Sequence, residues 1–276
     1  MKFLLSAVLV ANSCIALADC RTSVPVEGVI SVKACDSRTE TCIAGTKAVY
    51  DYMDKMKDDP SVLAMGLHAS PWRFYDSDMR ILTIEEMAEM AQPQIGKKVK
   101  RIDLIASWSG VAPHSGGKSL AQKLSDSLKG FPVSGKDGFL WIAKDGRLRT
   151  THQAFTVTQG GNPYSIAEGD EVMVSLTAGW PATLEEAFVK KRDADGIMRA
   201  AAGWDIFLLC PDRALQAFDA AAKLSHPIAA YNAALMRLDR RNKGDLEVAT
   251  ALLSQAADAG DTKAQAWLKK LKQKSR

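Results

Sequence analysis

The sequence has few of the features that mark metal-dependent, nucleic-acid-binding or membrane-spanning proteins. Its formal net charge is only +4, which is too small to indicate binding to nucleic acid. No apolar run reaches the roughly 20 residues that a membrane-spanning helix needs. Only four histidines occur, and they lack the close spacing of metal ligands. They are His68, His114, His152 and His226. We therefore expect no metal or cofactor, no nucleic-acid partner and no membrane span in the mature chain.

The first 18 residues have the pattern of a cleavable secretory signal. Lys2 supplies a positive start, an apolar stretch follows, and Ala16-Leu17-Ala18 has the small-x-small form that signal peptidase recognises. A membrane anchor is an alternative, but the stretch is short and polar residues interrupt it. A lipoprotein is another, but Asp19 stands before Cys20 where a lipobox needs a small residue. The pattern predicts a signal peptide at 1–18 and a periplasmic or secreted location.

Cysteines are few, and their number becomes even after cleavage. Cys14 leaves with the signal, so the mature chain keeps Cys20, Cys35, Cys42 and Cys210. An even number of cysteines in an oxidising compartment indicates disulfides, and four cysteines allow three connectivities. Cys35 and Cys42 are close enough in the chain to close a small loop. We predict pairing of Cys35 with Cys42 and of Cys20 with Cys210.

The mature chain divides into two regions of different pattern. From about Val24 to Thr177, apolar β-rich runs alternate with helical patterns, which is typical of an α/β domain. From about Asp212 onward nothing has the pattern of a strand. We place the α/β domain at 19–210 and a helical tail at 211–276. Strands are predicted at 28–32, 62–67, 102–106 and 172–176, helices at 44–56, 83–91 and 119–128, and a hairpin at 139–143 and 148–157.

The tail repeats itself at a spacing of thirty-five positions. The matched pairs are Ala214 with Ala249, Phe218 with Leu253, Ala221-Ala222 with Ala256-Ala257, and Ala229 with Ala264. Such a period is typical of helix-pair solenoids. These residues resemble the Sel-one-like relatives of tetratricopeptide repeats, although Ser225 stands where the second copy has Gly260. The resemblance implies either a surface that binds a protein partner or a cap that packs on the α/β domain.

One glycine-rich segment imitates a phosphate-binding loop. Gly116-Gly117-Lys118-Ser119 follows a predicted strand and begins a predicted helix. A P-loop also needs a glycine five positions before the glycine of its Gly-Lys-Ser, and Ala112 occupies that place. The spacing excludes nucleotide binding of this type.

The candidate chemical site lies at the ends of two predicted strands. The first strand delivers His68, and the second delivers Ser107 into the turn Ser107-Trp108-Ser109-Gly110. Ligands and catalytic groups collect at the carboxyl ends of parallel strands. We therefore expect His68 and Ser107 to lie at the same edge of a sheet.

The two strand ends resemble those of caspase-like cysteine peptidases, including the legumain branch, over residues 28–145. The resemblance implies a mostly parallel sheet flanked by helices, with His68 at the place of the catalytic histidine and Ser107 at that of the catalytic cysteine. Ala69 replaces the glycine that the family keeps beside the histidine. Serine is a much poorer nucleophile than cysteine unless a histidine, oriented by a third group, takes its proton. Only Asp76 and Asp78 are near enough in the chain to be candidates for that third group.

Two functions of different class follow from these residues. The first is an exported pseudoenzyme, a non-catalytic module that binds a protein partner through a degenerate caspase-like domain. The second is a serine-dependent peptidase or esterase that uses Ser107 and His68. A buried Ser107 with Trp108 packed across the cleft would favour the binding module, whereas an oriented acid on His68 beside an open cleft would favour the hydrolase.

Overall fold

A computed structural model describes residues 20, 29–33, 49–152, 154–158 and 171–274, and it shows mixed α/β content with a helical C-terminal part. The strands are β1 (Val29–Lys33), β2 (Val62–Gly66), β3 (His68–Ala69), β4 (Phe74–Tyr75), β5 (Ile81–Leu82), β6 (Arg101–Ile105), β7 (Val133–Ser134), β8 (Phe139–Ala143), β9 (Leu148–Thr151), β10 (Ala154–Thr158) and β11 (Glu171–Met173). The helices are α1 (Ile84–Ala91), α2 (Leu120–Ser127), α3 (Val174–Gly179), α4 (Glu185–Lys191), α5 (Ala194–Ile206), α6 (Pro211–Lys223), α7 (Pro227–Arg240), α8 (Asp245–Asp258) and α9 (Thr262–Lys274). Residues 49–53 are helical as well.

The described strands pair into four small sheets. Two sheets are parallel, β1 with β10 and β2–β6–β7 in that order. The other two, β3–β4–β5 and β11–β8–β9, are antiparallel. Parallel pairing is thus confined to two small sheets, whereas the sequence predicted a mostly parallel one.

Helices α1 and α2 begin where the sequence predicts because each has a reciprocal cap. The hydroxyl of Thr83 accepts a hydrogen bond from the Glu86 N–H, and the Glu86 carboxylate accepts one from the Thr83 N–H. Ser119 and Gln122 repeat this arrangement at the start of α2. Each cap satisfies backbone N–H groups that have no partner inside the helix. The two helices pack together beside the β2–β6–β7 sheet.

Two predictions for the region after β8 are wrong in part. The hairpin forms around Gly146, which has a φ of +83°, but its second strand ends at Thr151 and β10 pairs with β1 instead. The strand predicted at 172–176 ends at Met173, and α3 begins at the next residue, Val174. A short apolar run fits a buried strand and a buried helix equally well, so periodicity alone does not separate them.

The tail forms two helix pairs that keep the thirty-five-residue spacing. Ser225 and Gly260 occupy equivalent turns, with φ of +65° and +91°. The next residues, His226 and Asp261, both cap the following helix through their side chains. The repeated Ala214, Ala249 and other small residues are buried between the helices. The helical C-terminal part predicted from the sequence is therefore present, with its repeat visible in the turns and caps.

The tail packs on the α/β region through the β4–β5 hairpin. The side chain of Asn232 in α7 accepts a hydrogen bond from the Ile81 N–H at 2.9 Å and donates one to the Met79 carbonyl at 2.8 Å. An ion pair between Arg80 and Asp261 adds to this contact. One hydrophobic cluster contains Tyr75 and Ile81 of the hairpin together with residues from α5 to α9. From Val174 onward all the described elements are helical, so the helical C-terminal part begins before the predicted tail.

Candidate functional site

His68 and Ser107 follow two neighbouring parallel strands. Gly66 at the end of β2 is paired with Ile105 at the end of β6, so each candidate lies two residues beyond a paired position. The Leu67 N–H also donates a hydrogen bond to the Ile105 carbonyl. The two residues therefore follow the same edge of the sheet, as parallel pairing requires.

The hydroxyl of Ser107 is closed off from solvent. The residue is only 1% exposed. Its Oγ accepts hydrogen bonds from the Leu140 N–H at 3.0 Å and from the Ser175 hydroxyl at 2.8 Å. A nucleophile must reach a substrate and pass its proton to a base, and Ser107 makes no hydrogen bond to His68 in the described structure. In this arrangement Ser107 links β8 and α3 to the end of β6.

The whole turn after β6 is tied to the segment that leads into β8. The Trp108 N–H donates to the Gly138 carbonyl at 2.9 Å, and the Gly110 N–H donates to the Lys136 carbonyl at 2.8 Å. The hydroxyl of Ser109 donates to the Ala106 carbonyl at 2.7 Å and accepts from the Lys136 N–H at 3.0 Å. These bonds satisfy backbone groups that burial would otherwise leave unpaired. Together these hydrogen bonds fix the conformation of the turn.

Trp108 fills the space beside Ser107. Its side chain is fully buried and its φ is +60°, a conformation that is uncommon for a bulky residue. The indole meets the Phe139 ring edge-on, with centroids 5.2 Å apart, and stacks against the His152 ring at 5.7 Å. The packing holds the backbone in this conformation and blocks access to the turn.

Within the part of the chain that the structure describes, no carboxylate hydrogen-bonds to His68. Its Nδ1 is shielded from solvent and has no hydrogen-bond partner in the described structure. Asp76, a candidate from the sequence, instead accepts hydrogen bonds from the Asp78 N–H at 3.0 Å and the Arg80 N–H at 2.9 Å, which stabilise the β4–β5 turn. Burial lowers the pKa of His68 to about 4, so the imidazole is neutral at neutral pH.

An apolar pocket of about 290 Å³ lies beside His68. Its polar lining residues are His68, Asp76 and Ser77. The rest of its wall comes from Gly66 and Leu67 and from apolar side chains of residues 49–53, β4, β5, α1, β6, β8 and α3. Two of these, Tyr50 and Met90, are unusually exposed for their size, at 59% and 46%. Exposed large apolar side chains around a concave site are typical of binding surfaces.

A buried carboxylate outside the predicted motifs organises this region. Asp205 in α5 is fully buried and accepts hydrogen bonds from the hydroxyls of Ser70 at 2.7 Å and Tyr75 at 2.8 Å. It also forms an ion pair with Arg73 at 2.7 Å. Burial and the adjacent Asp205 charge raise the pKa of Tyr75 well above its usual value. The sequence signal for this carboxylate was that Asp205 is the one acidic residue in the mainly apolar run from Ile197 to Ile206.

The predicted Cys20–Cys210 disulfide is present, with the two Cα atoms 5.0 Å apart. The prediction of disulfide bonding is confirmed for this pair. Cys35 and Cys42 lie outside the described residues, so their pairing stays a prediction.

The glycine-rich segment has a structural role. Ser119 caps α2, and the exposed Lys118 forms an ion pair with Asp126 at 2.6 Å. Across the described ranges, no three His, Cys, Asp or Glu side chains come together as a metal site would require. Within those ranges no helix has the length and hydropathy to cross a bilayer.

Residues 38–150 match the model of a family described as Domain of unknown function (DUF8616). The matched segment contains both His68 and Ser107. No curated protein and no solved structure matches the chain.

Proposed function

We propose that this protein is an exported, non-catalytic protein-binding module built on a degenerate caspase-like domain and braced by Sel-one-like repeats. The observation that carries the proposal is the difference in solvent access between the two strand ends. The hydroxyl at the position of the nucleophile is buried and occupied by two donors, while the pocket beside His68 has an exposed apolar rim.

The geometry gives little support to the alternative, a serine hydrolase. Among the described residues, Ser107 makes no hydrogen bond to a base and His68 makes none to an acid. A triad needs both contacts to move the serine proton. Trp108 also fills the volume that a substrate would need beside the hydroxyl.

The rim is the surface that we propose for binding. Tyr50 precedes the sheet in the chain and Met90 belongs to α1, and both side chains reach the same pocket from different elements. Burying such side chains against a partner yields about 25 cal/mol per Å² of apolar area. The repeat tail braces the module in this proposal, because α7 hydrogen-bonds the β4–β5 hairpin that forms part of the pocket wall.

The test compares partner capture by the oxidised mature chain and by a rim variant. Extracytoplasmic extract is passed over immobilised wild type and over Tyr50→Ser/Met90→Ser, with Leu246→Ser as the matched control, since Leu246 is 60% exposed on α8 and does not line the pocket. We expect a partner that the rim variant fails to capture and the control retains. Equal capture by all three, or no captured partner, would overturn the proposal.

A further inference from the structure

A second pocket, of about 300 Å³, lies where the repeat tail packs on the α/β region. One wall comes from residues 72–73, β5, α1 and α2, and the other comes from α7, Arg241 and Trp267 of α9. Ligand sites are common at such junctions, and the volume is at the lower end of their usual range, roughly 300–1,000 Å³. Five of the lining residues carry a charge, so the pocket favours a charged or polar occupant.

Arg73 is fixed in place and still has donors to offer. Its side chain is only 11% exposed, and its Nη1 donates to the Asp205 carboxylate at 2.7 Å. Nε and Nη2 make no hydrogen bond to a described residue, and neither is shielded from solvent. Arg73 lines the pocket, so these donors meet an acceptor there. A carboxylate matches the planar guanidinium best.

Two further charges lie on different walls of the pocket. Lys123 in α2 is half-buried and Asp239 near the end of α7 is exposed, and neither forms an ion pair within the described ranges. Burial lowers the pKa of Arg73, but the charge of Asp205 and, more weakly, that of Asp239 outweigh it and hold this pKa above its usual value. Arg73 and Asp239 thus attract each other without touching, which leaves room for a group between them.

The balance of charge favours a zwitterion over a simple anion. Glu85 and Arg241, which also line the pocket, have opposite signs and cancel. Arg73, Lys123 and Asp239 leave one positive charge, and the carboxylate bound behind Arg73 neutralises it. An occupant with both a carboxylate and an ammonium group complements such a lining, whereas an anion would leave Asp239 facing a like charge.

Two tryptophans supply apolar surface on both walls. Trp72 precedes Arg73 in the chain and Trp267 belongs to α9, and both side chains are half-buried. Indole rings pack well against aromatic and apolar groups, and their faces attract ammonium groups. The pocket therefore suits a small zwitterion that carries an apolar or aromatic side chain.

We propose that this pocket binds a free α-amino acid with an apolar or aromatic side chain. Its carboxylate binds Arg73 and Lys123, and its ammonium group faces Asp239. Its side chain packs against Trp72 and Trp267. The site goes beyond the proposed function, because it takes a small molecule and none of its charged residues lines the pocket beside His68.

The test uses four matched probes on the full, oxidised mature chain, with binding measured by NMR titration. L-phenylalanine carries both charges, hydrocinnamate carries only the carboxylate, phenethylamine carries only the ammonium group, and N-acetyl-L-phenylalanine amide carries neither. We expect L-phenylalanine to bind about tenfold more tightly than either singly charged probe, roughly the value of one hydrogen bond to a charged group. The uncharged amide should bind most weakly.

Two variants separate the two charges, and Arg73 is left intact because its ion pair with Asp205 belongs to the fold. Lys123→Gln should weaken L-phenylalanine and hydrocinnamate about twofold to fivefold and leave phenethylamine unchanged. Asp239→Asn should weaken L-phenylalanine and phenethylamine by a similar factor and leave hydrocinnamate unchanged. The matched controls Lys190→Gln and Asp258→Asn remove exposed charges outside the pocket and should change no affinity.

The indole N–H signals locate the bound probe. Those of Trp72 and Trp267, assigned with Trp72→Phe and Trp267→Phe, should shift on addition of L-phenylalanine. Shifts confined to other tryptophans would overturn the proposal. Equal affinities for L-phenylalanine and the uncharged amide, affinities unchanged in both Lys123→Gln and Asp239→Asn, or no binding of L-phenylalanine would do the same.

Discussion

The hydroxyl of Ser175 donates a hydrogen bond to the hydroxyl oxygen of Ser107 at 2.8 Å, across 68 positions of sequence. The contact joins the start of α3 to the end of β6, and it gives the buried hydroxyl of Ser107 a structural partner. Both residues are 1% exposed. The stability of the fold, rather than catalysis, is therefore the property that a change at Ser107 should alter.

Ser107→Ala should destabilise the protein by about 1–3 kcal/mol, because the buried Leu140 N–H loses its acceptor. Chemical denaturation measures this free energy of unfolding. Ser175→Ala, which leaves the Leu140 bond intact, is the control and should cost less. A serine-directed fluorophosphonate should not label the wild type. Stoichiometric labelling at Ser107 that is lost in His68→Ala would make the hydrolase the correct function.

Asp205→Ala should be among the most destabilising changes in the chain. It leaves Arg73 in a partly buried position without its counter-charge, and breaking such a pair costs about 3–5 kcal/mol. Tyr75→Phe removes a single hydrogen bond and should cost about 1 kcal/mol. Urea midpoints of the two variants give the comparison, and similar losses would show that Asp205 does not organise the network.

Asn232→Ala tests whether the tail braces the α/β region. The buried Ile81 N–H and the Met79 carbonyl would lose their partner, so we expect a loss of about 1–3 kcal/mol. The exposed Asn242→Ala is the matched control and should stay within about 0.5 kcal/mol. Removal of residues 211–276 should expose the shared cluster and increase binding of a hydrophobic dye. A soluble truncated domain without dye binding would contradict the bracing role.

Export and disulfide formation are tested together by mass spectrometry of the exported protein. The first residue should be Asp19, and the mass should be lower than that of the reduced chain by two hydrogens for each disulfide. Cys210→Ser should cost about 2–5 kcal/mol, since the Cys20–Cys210 link closes a loop across 190 positions. Free thiols at Cys35 and Cys42 would refute their predicted pairing, and a retained signal would refute the predicted cleavage.

The depressed pKa of His68 predicts a pH dependence of stability. Between pH 6.5 and about 4 the His68 imidazole is protonated in the unfolded chain but neutral in the folded chain. The free energy of unfolding therefore falls as the pH falls through this window. The loss attributable to His68 is about 3 kcal/mol, since each pKa unit corresponds to about 1.4 kcal/mol. His68→Leu should flatten the unfolding free energy across this window. An unchanged slope in that variant would show that His68 does not carry the effect.

Local chemistry made part of the fold predictable from the sequence. The capped helices at Thr83 and Ser119, the Asp145-Gly146 hairpin and the two strands before His68 and Ser107 all depend on short patterns. The repeat of the tail was equally visible, because each small residue must recur wherever two helices meet. Counting cysteines indicated disulfides but left three connectivities open, and the Cys20–Cys210 pair followed only from assigning the neighbouring Cys35 and Cys42 to each other.

The site itself depended on contacts between residues far apart in the chain. The hydrogen-bond partners of Ser107 are Leu140 and Ser175, and no local pattern links them to β6. Asp205 likewise joins α5 to the β3–β4 region through hydrogen bonds that no local sequence pattern indicates. The sequence determined which chemical groups stand at the strand ends. Only the tertiary structure decided their solvent access and partners, because burial and hydrogen bonding arise when distant segments pack together.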